Sequence, residues 1–412
     1  MSLENGGKLP REIVFLKETF REHYRRCPVE PPFRFARREW GFFPFGGKMM
    51  FRHIAFARRS DIDRFFRETA PMHSYYSVAY YQEPGLQPMG EKFKTWMGAD
   101  LIFDLDADHL PDADQMTYEE QLKEVKKEVK RLLFDFILDD LGLPREHTHL
   151  HFSGGRGYHV HVRAPEVLKL DSRARRQIVD YITGRGLDFS KLFPKKTTDY
   201  NPKFRSYKEE RDFRNRNDGG WITKIYEGKD RLLRKLMEFE TKKEQVNYIL
   251  RISDQKKLGI KEKKCQSMIE ELFYEDDGRT AKKMISKDSF TQTSKKWRDN
   301  DFLTLAASFS SIDLSGETDE PVTTDIKRLI RCPGSLHGKT GLRVVEVDMD
   351  SIEDFDPLRD AVALGPDPVK VNVTRSVEQS LGGESFSLKE GETEVPLYMA
   401  YFLMARRMAL LP

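Results

Sequence analysis

Cysteine is scarce in this chain. There are three in 412 residues, Cys27, Cys265 and Cys332, far apart and with no C-x-x-C pair. That excludes a disulfide framework and suits a reducing compartment. Long apolar runs are missing as well: nothing approaches the roughly 20 residues of a membrane span, and the opening MSLENGGKLP has no apolar secretion core. A cytoplasmic protein without membrane association is the expectation. Net charge of one sign is also nearly absent, at +3, with 38% hydrophobic and 33% charged residues. The balance is uneven along the chain, however. Residues 201–300 carry 26 Lys or Arg against 18 Asp or Glu, a surplus of +8 that leaves −5 for the remainder. A basic middle segment beside an acidic remainder is the pattern of a phosphate-tracking surface near a carboxylate site, and equally that of a solvated, lysine-rich helical region. The length suits two or three domains with a sizeable core.

What is present alternates between helical and strand patterns. PREIVFLKETFREHYR (10–25) places Ile13, Leu16, Phe20 and Tyr24 on one helical face behind a first-turn proline. RREWGFFPF (37–45) and YYSVAYY (75–81) are aromatic and β-prone. In DLIFDLDADHL (100–110), Leu101, Phe103 and Leu105 share one strand face, and Ile102, Asp104 and Asp106 the other. Thr117 and Glu120 form a capping box for a helix with Leu122, Val125, Val129, Leu132, Phe136 and Ile137 as its apolar stripe, ended by Gly142 and Pro144. A helix over 171–186 follows, then helical spacing through 201–300, a short helix in TTDIKRLIRCPG and a strand in GLRVVEVDM (341–349). Residues 382–396 read as a linker and 397–411 as a terminal amphipathic helix. The fold class is α/β in the mixed α+β sense: a mixed-sheet core flanked by helices, from residues 1–200 and 301–381, with an all-helical insertion at 201–300 and a tail at 382–412.

Three constellations carry chemistry. Asp104 and Asp106, two apart on a strand, project from one face; a divalent cation between them relieves their repulsion, the alternative being an exposed strand end. HLHFSGGRGYHVHV (149–162) is two alternating strands around a glycine turn. Its three glycines permit positive φ and bring bare N–H groups to a ligand, and Arg156 adds a planar donor fork suited to phosphate; a plain hairpin would carry the same glycines. Five of the ten histidines lie between 147 and 161, and four could converge on zinc, but a phosphate or structural role suits them better. RLIRCPGSLHGKTGL (328–342) gathers Arg331, His337 and Lys339 at a turn, either a second phosphate clamp or a basic surface loop.

Taken in order, these motifs resemble the catalytic small subunit of the archaeal and eukaryotic type of DNA primase, archaeal members most closely. The D-x-D is Asp104 and Asp106; the S-x-x-R-G-x-H turn is Ser153, Arg156, Gly157 and His159; the third block is DEPVTTDIKRLIRCPGSLHGKTG. The resemblance implies a primase-polymerase core interrupted by a helical domain, and synthesis of short RNA primers on single-stranded DNA from nucleoside triphosphates. It implies two Mg²⁺ or Mn²⁺ ions held by carboxylates, and a triphosphate held by Ser153, Arg156, His159, Arg331, His337 and Lys339. The third carboxylate is expected at Asp319, 18 residues before His337 and with no structural excuse, whereas Asp325 at a helix start is explained by the helix itself. The expected partner is the large primase subunit in a heterodimer; this chain has no cysteine set for an iron–sulfur cluster. Two departures stand out. No zinc knuckle follows the D-x-D strand, so no zinc is expected, and Gly155 stands where some relatives carry a second arginine. A superfamily polymerase acting in gap filling or damage bypass is the alternative enzyme. A non-catalytic nucleic-acid-binding subunit is disfavoured by the carboxylate pair, which would face DNA phosphate to no advantage.

Overall fold

The computed structural model of the chain describes residues 9–86, 94–110, 113–201, 206–290, 298–312, 314 and 322–412. Chain packing divides it into two compact units, residues 1–179 with 313–412 and residues 180–312. In the first, the early strands are β1 (Trp40–Phe43), β2 (Phe51–Ile54), β3 (His73–Ser77), β4 (Ala79–Tyr81), β5 (Trp96–Ala99), β6 (Leu101–Asp106), β7 (Thr148–Phe152) and β8 (Gly157–Val162). The second unit holds β9 (Lys195–Asn201) and β10 (Ser206–Arg211). The chain then returns through β11 (Leu329–Arg331), β12 (Val345–Val347), β13 (Pro368–Val373), β14 (Val377–Leu381), β15 (Glu384–Leu388), β16 (Gly391–Pro396) and β17 (Ala409–Leu410). No described helix is long and apolar enough to cross a membrane.

Two antiparallel four-stranded sheets organise the first unit, in orders β11-β3-β1-β2 and β12-β7-β8-β6. Alternation along β6 does what period two requires. Leu101, Phe103 and Leu105 are buried, while Asp104 and Asp106 stay partly exposed on the other face. Against the apolar face lies the helix Tyr118–Arg131, started by the Thr117–Glu120 capping box. Its stripe continues into a looser π-helical stretch, Leu132–Asp140, and Leu122, Val125, Val129, Leu132, Phe136 and Ile137 are all buried. Gly142 then takes a left-handed φ of 58° and ends it. On the other face the two sheets meet through polar groups, where the Tyr76 hydroxyl lies 3.3 Å from His161 Nδ1.

β6 and β8 approach unusually closely at one end. Gly157 faces Asp106 in register, and a Cβ built on Gly157 would stand 2.1 Å from the Leu105 carbonyl oxygen. Of the three glycines expected to supply positive φ in the turn, only Gly154 does, at 74°; Gly157 is there for the close approach.

Several sequence expectations change. TTDIKRLIR is not a helix: residues 322–324 make one 3₁₀ turn, and Leu329–Arg331 is recruited as the edge strand β11 beside β3. Pairing with an available sheet edge wins over weak helical spacing. Residues 382–396 are not a linker but the strands β15 and β16. The last helix, Leu397–Ala405, is not amphipathic, being apolar all round and buried from Tyr398 through Met404. The region read as an all-helical insertion opens on the β9–β10 hairpin. The other described elements of the second unit are helices, and there a Cβ on Gly228 would stand 1.9 Å from the Ala306 carbonyl oxygen, so two helices touch backbone to backbone.

Replacing Gly157 by alanine is expected to destabilise the first unit by about 3 kcal/mol or more, because the obstructing atom is backbone on a paired strand. Urea unfolding of Gly157→Ala checks this; a midpoint equal to that of the parent chain would remove the close-approach explanation.

Candidate active site

The polar face of β6 and β8 is the floor of a cleft. Register sets Asp104 opposite His159 and Asp106 opposite Gly157. His159 Nε2 stands 3.3 Å from Asp104 Oδ1, with the imidazole buried and the carboxylate 29% exposed. Arg156, from the turn, stands 2.5 Å from Asp108 Oδ2 and 3.6 Å from Asp106 Oδ1. Asp108, just past the end of β6, is therefore an ion-pair partner of Arg156. At 36% and 55% side-chain exposure this pair is worth little net stability, so the guanidinium exchanges partners at small cost.

Ser153 organises the turn. Its Oγ accepts hydrogen bonds from Gly155 N at 3.3 Å and Gly157 N at 3.2 Å, which leaves its hydroxyl proton to give to a ligand. The turn is held from two other directions. The Tyr118 hydroxyl donates to the Gly155 carbonyl, and Thr340 Oγ1 donates to the Gly154 carbonyl at 2.6 Å. Thr340 also lies 3.1 Å from His337 Nδ1, so the loop after β11 and the glycine turn are fastened together. His337 Nε2 is left against Gly155, where an added Cβ would meet it at 3.2 Å. The glycine at 155 thus makes room for the imidazole.

Arg331, at the end of β11, donates from Nη1 to His73 Nδ1 at 2.9 Å, and Gly338 N donates to the same nitrogen at 3.2 Å. His73 is thereby fixed as an acceptor beneath the loop. Burial, reinforced by Arg331, pulls His73 down to about 3 and His337 well below the usual imidazole range. His337, grouped from sequence with the cations, therefore contributes a neutral imidazole. Lys339 is exposed at the rim, and among the described residues its ammonium has no acceptor.

Two adjoining hollows, about 650 Å³ and 180 Å³, share Asp106, Gly155, Arg331 and His337. Asp104, Ser153 and His159 line the smaller one, Arg156 and Lys339 the larger. Eight of the nine sequence-picked residues are thus brought together; the ninth, Asp319, lies outside the described residues. Asp325 sits in no helix; its Oδ1 accepts from Lys327 N at 2.9 Å in a local turn. Among the described residues no group of three or more His, Cys, Asp or Glu is placed to hold a metal ion.

Sequence reasoning missed Tyr118 and Arg406. Arg406 follows the buried terminal helix, lies 4.3 Å from the Tyr118 ring centroid and lines the larger hollow. Among the described residues its guanidinium has no hydrogen-bond acceptor, and burial lowers its pKa. The tail's apolar run is its only signal in the sequence, and it says nothing of a cleft 250 residues earlier in the chain.

Comparison with known proteins adds a finding independent of this geometry. Residues 103–349 match the family model of the DNA primase small subunit. The chain is 39% identical to the DNA primase small subunit PriS of Methanococcoides burtonii, over 95% of this chain and 96% of that one. It is 40% identical to PriS of Methanothrix thermoacetophila, over 96% and 98%. PriS of Picrophilus torridus is 37% identical, over 93% and 94%.

The buried neutral imidazoles have a consequence for stability. Burial holds His23 near 4, His73 and His151 near 3, and His161 well below its ordinary value. An unfolded imidazole takes up its proton near pH 6.5, so below that pH the unfolded chain binds more protons and stability falls. The urea midpoint is expected to drop between about pH 7.5 and pH 5.5. His23→Gln should recover part of that drop; an identical pH dependence in the variant would show that His23 does not contribute.

Proposed function

The chain belongs to the DNA primase small subunit family, and from that premise we propose how its residues make primers. It is a DNA primase catalytic subunit, a nucleotidyltransferase that builds short RNA primers on single-stranded DNA from nucleoside triphosphates. The observation that carries the site assignment is the meeting, in one cleft, of an open carboxylate pair with Arg156, Arg331, Lys339 and the Ser153 turn.

Asp104 and Asp106 fit hard divalent cations. Both are oxygen donors, both are about a third exposed, and they share a strand face that opens into the cleft. We assign Mg²⁺ or Mn²⁺ to this pair, with Asp319 as the third carboxylate on the spacing of the family motif. Such ions, when bound, lower the pKa of the attacking 3′-hydroxyl and steady the leaving pyrophosphate. His159 Nε2 orients Asp104. Arg156 leaves Asp106 and Asp108 for the triphosphate, whose charge exceeds theirs. Ser153 donates its hydroxyl proton, His337 offers Nε2 as a neutral hydrogen-bonding group, and Lys339 and Arg331 bring positive charge. Arg406 adds a fork of donors from the tail. No covalent enzyme intermediate is required; positioning and electrostatics perform the reaction.

We also read the large primase subunit as the partner in a heterodimer, the basic middle segment as a surface for template or primer, and the setting as cytoplasmic. A gap-filling or damage-bypass polymerase is less supported, because the relatives that the chain matches along nearly its whole length are primase small subunits.

Templated synthesis from nucleoside triphosphates on primer-free single-stranded DNA, with and without divalent metal, tests the reading. Asp104→Asn, Asp106→Asn and Asp319→Asn are each expected to lower the rate by roughly 10³-fold with little change in melting temperature. Asp325→Asn should keep most activity and lose a little stability. Full activity in the first three, or loss confined to Asp325→Asn, would relocate the site. In the same assay Arg156→Ala and Arg406→Ala should each raise the nucleotide KM about tenfold, the worth of a charge-assisted hydrogen bond, with a smaller effect on kcat. Arg406→Lys should restore part of the loss, whereas a merely structural Arg406 would show an unchanged KM.

A further inference from the structure

A second polar cavity, about 400 Å³, lies in the first unit and shares no lining residue with the two hollows of the active site. Its rim is stiffened by Pro28, Pro31 and Pro32, and it contains Phe33, His151, Arg163 and Arg343. Three features mark it out. Phe33 is 52% exposed and lines the cavity. Cations already flank that ring, with the guanidinium carbons of Arg34 and Arg163 at 5.2 Å and 5.9 Å from its centroid. Buried donors and acceptors also lack partners here. Among the described residues the Nδ1 of His151, which is 2% exposed, makes no hydrogen bond, and the buried Arg163 Nε makes none either, although it lies 3.7 Å from the Asp100 carboxylate. Among the described residues the Arg343 guanidinium has neither a hydrogen bond nor an ion pair.

The two carboxylates in the cavity are already committed elsewhere. Glu30 pairs with Arg59 at 2.8 Å, and Glu346 with His149 at 2.9 Å. What remains is a half-exposed aromatic ring with arginines beside it and a further arginine, Arg343, in the same cavity lining. Guanidinium forks call for phosphate, and an arginine-flanked ring calls for a base to stack on it. A cavity this small, with a rigid proline rim, takes one nucleotide unit rather than a length of strand.

We infer that this cavity binds a phosphorylated nucleotide, its base against Phe33 and its phosphate between Arg163 and Arg343, at a site separate from the one where primers are made. The unit is either a free nucleoside triphosphate or one residue of a single strand. Both present the same base and phosphate. The site adjoins the catalytic sheet: His151 in its wall is the direct cross-strand partner of His159, which in turn faces Asp104. The cavity wall on β7 thus lies two strands from the carboxylate pair on β6. The inference stands on residues outside the primer-forming site, so it fails or holds independently of the roles assigned there.

The test uses the full chain with Arg156→Ala and Lys339→Ala, which removes the active-site grip on triphosphate, in the presence of a chelator. A fluorescent ATP analogue and a labelled, 5′-phosphorylated tetrathymidylate are titrated separately. At least one should bind, and adding Phe33→Ala or, separately, Arg343→Gln should raise its Kd about tenfold, as expected for loss of a stacking platform or a phosphate contact. Both substitutions are at exposed positions, so melting temperature should not move. Binding of the ATP analogue identifies a free nucleotide as the occupant; binding of the tetranucleotide alone identifies a strand. Binding of neither probe, or Kd values untouched by both substitutions, overturns the inference and leaves the unpartnered groups to water.

Discussion

The chemistry of this chain depends on one strand pairing, β6 against β8. Slipping that register by one residue would turn Asp104 and Asp106 into the apolar layer beneath the helix Tyr118–Arg131 and push Leu101, Phe103 and Leu105 into the cleft. The Gly157 contact with Leu105 is what makes such a slip costly, because only a residue without a Cβ fits opposite Asp106. The glycine identified in sequence as part of a phosphate turn therefore also sets the geometry of the carboxylates. β7 and β12 continue the sheet beyond β8, so the strand carrying His159 is held on both edges and cannot fray.

The polar interior between the two sheets follows from this arrangement. One sheet face carries Asp104, His159, His161 and His151, so the sheet opposite cannot be wholly apolar. Its answer is a set of buried pairs. Arg38 and Asp100, both fully buried, meet at 2.7 Å; Tyr80 donates to the same carboxylate, and Arg175 donates to the Asp100 carbonyl at 2.7 Å. Arg38 also donates to the Ser77 carbonyl at 2.7 Å, which ties the end of β3 to Asp100, the residue just before β6. A buried ion pair of this kind adds little net stability over apolar packing, yet removing one partner strands the other charge. Its value here is positional. Glu39 and Lys94, also buried, meet at 2.8 Å and do the same for β1.

Much of this was legible in the sequence, and the reasons for what was not are physical. The D-x-D strand, the capped helix and the histidine hairpin were readable because each is a local pattern: alternation, a Thr–Glu box, glycines between two β-prone runs. Their joint identity as a primase was readable because the three motifs occur in order. TTDIKRLIR misled because its helical spacing is short, and the edge of β3 offered three residues a better set of partners. The tail misled in a different way. It read as amphipathic, but Tyr398–Met404 is buried throughout and Arg406 comes only where the helix ends. Long-range pairing leaves no mark on local periodicity, and the burial of the tail showed only as an unbroken apolar run. Tyr118 was hidden for a related reason. It reads as the first residue of a capped helix, and only the folded chain shows its hydroxyl on the Gly155 carbonyl.

Charge placement around the cleft follows a division between groups that are fixed and groups that can move. The fixed ones are neutral or locked. His73 is an acceptor for two donors, His337 is spanned by Thr340 and Gly155, and Ser153 is engaged by two backbone N–H groups. The mobile ones are charged and weakly held. Among the described residues, Arg156 rests on partly exposed carboxylates, Lys339 has no acceptor, and Arg406 leans on aromatic faces. In the proposed site a neutral imidazole next to the triphosphate would position it by hydrogen bonding without adding to an attraction that would also hold the pyrophosphate product. The arginines and the lysine would supply that attraction from side chains that lose little when they let go. A site that must bind a tetra-anionic nucleotide and then release a pyrophosphate is served by this combination, because the rigid part sets orientation and the loosely held part sets affinity.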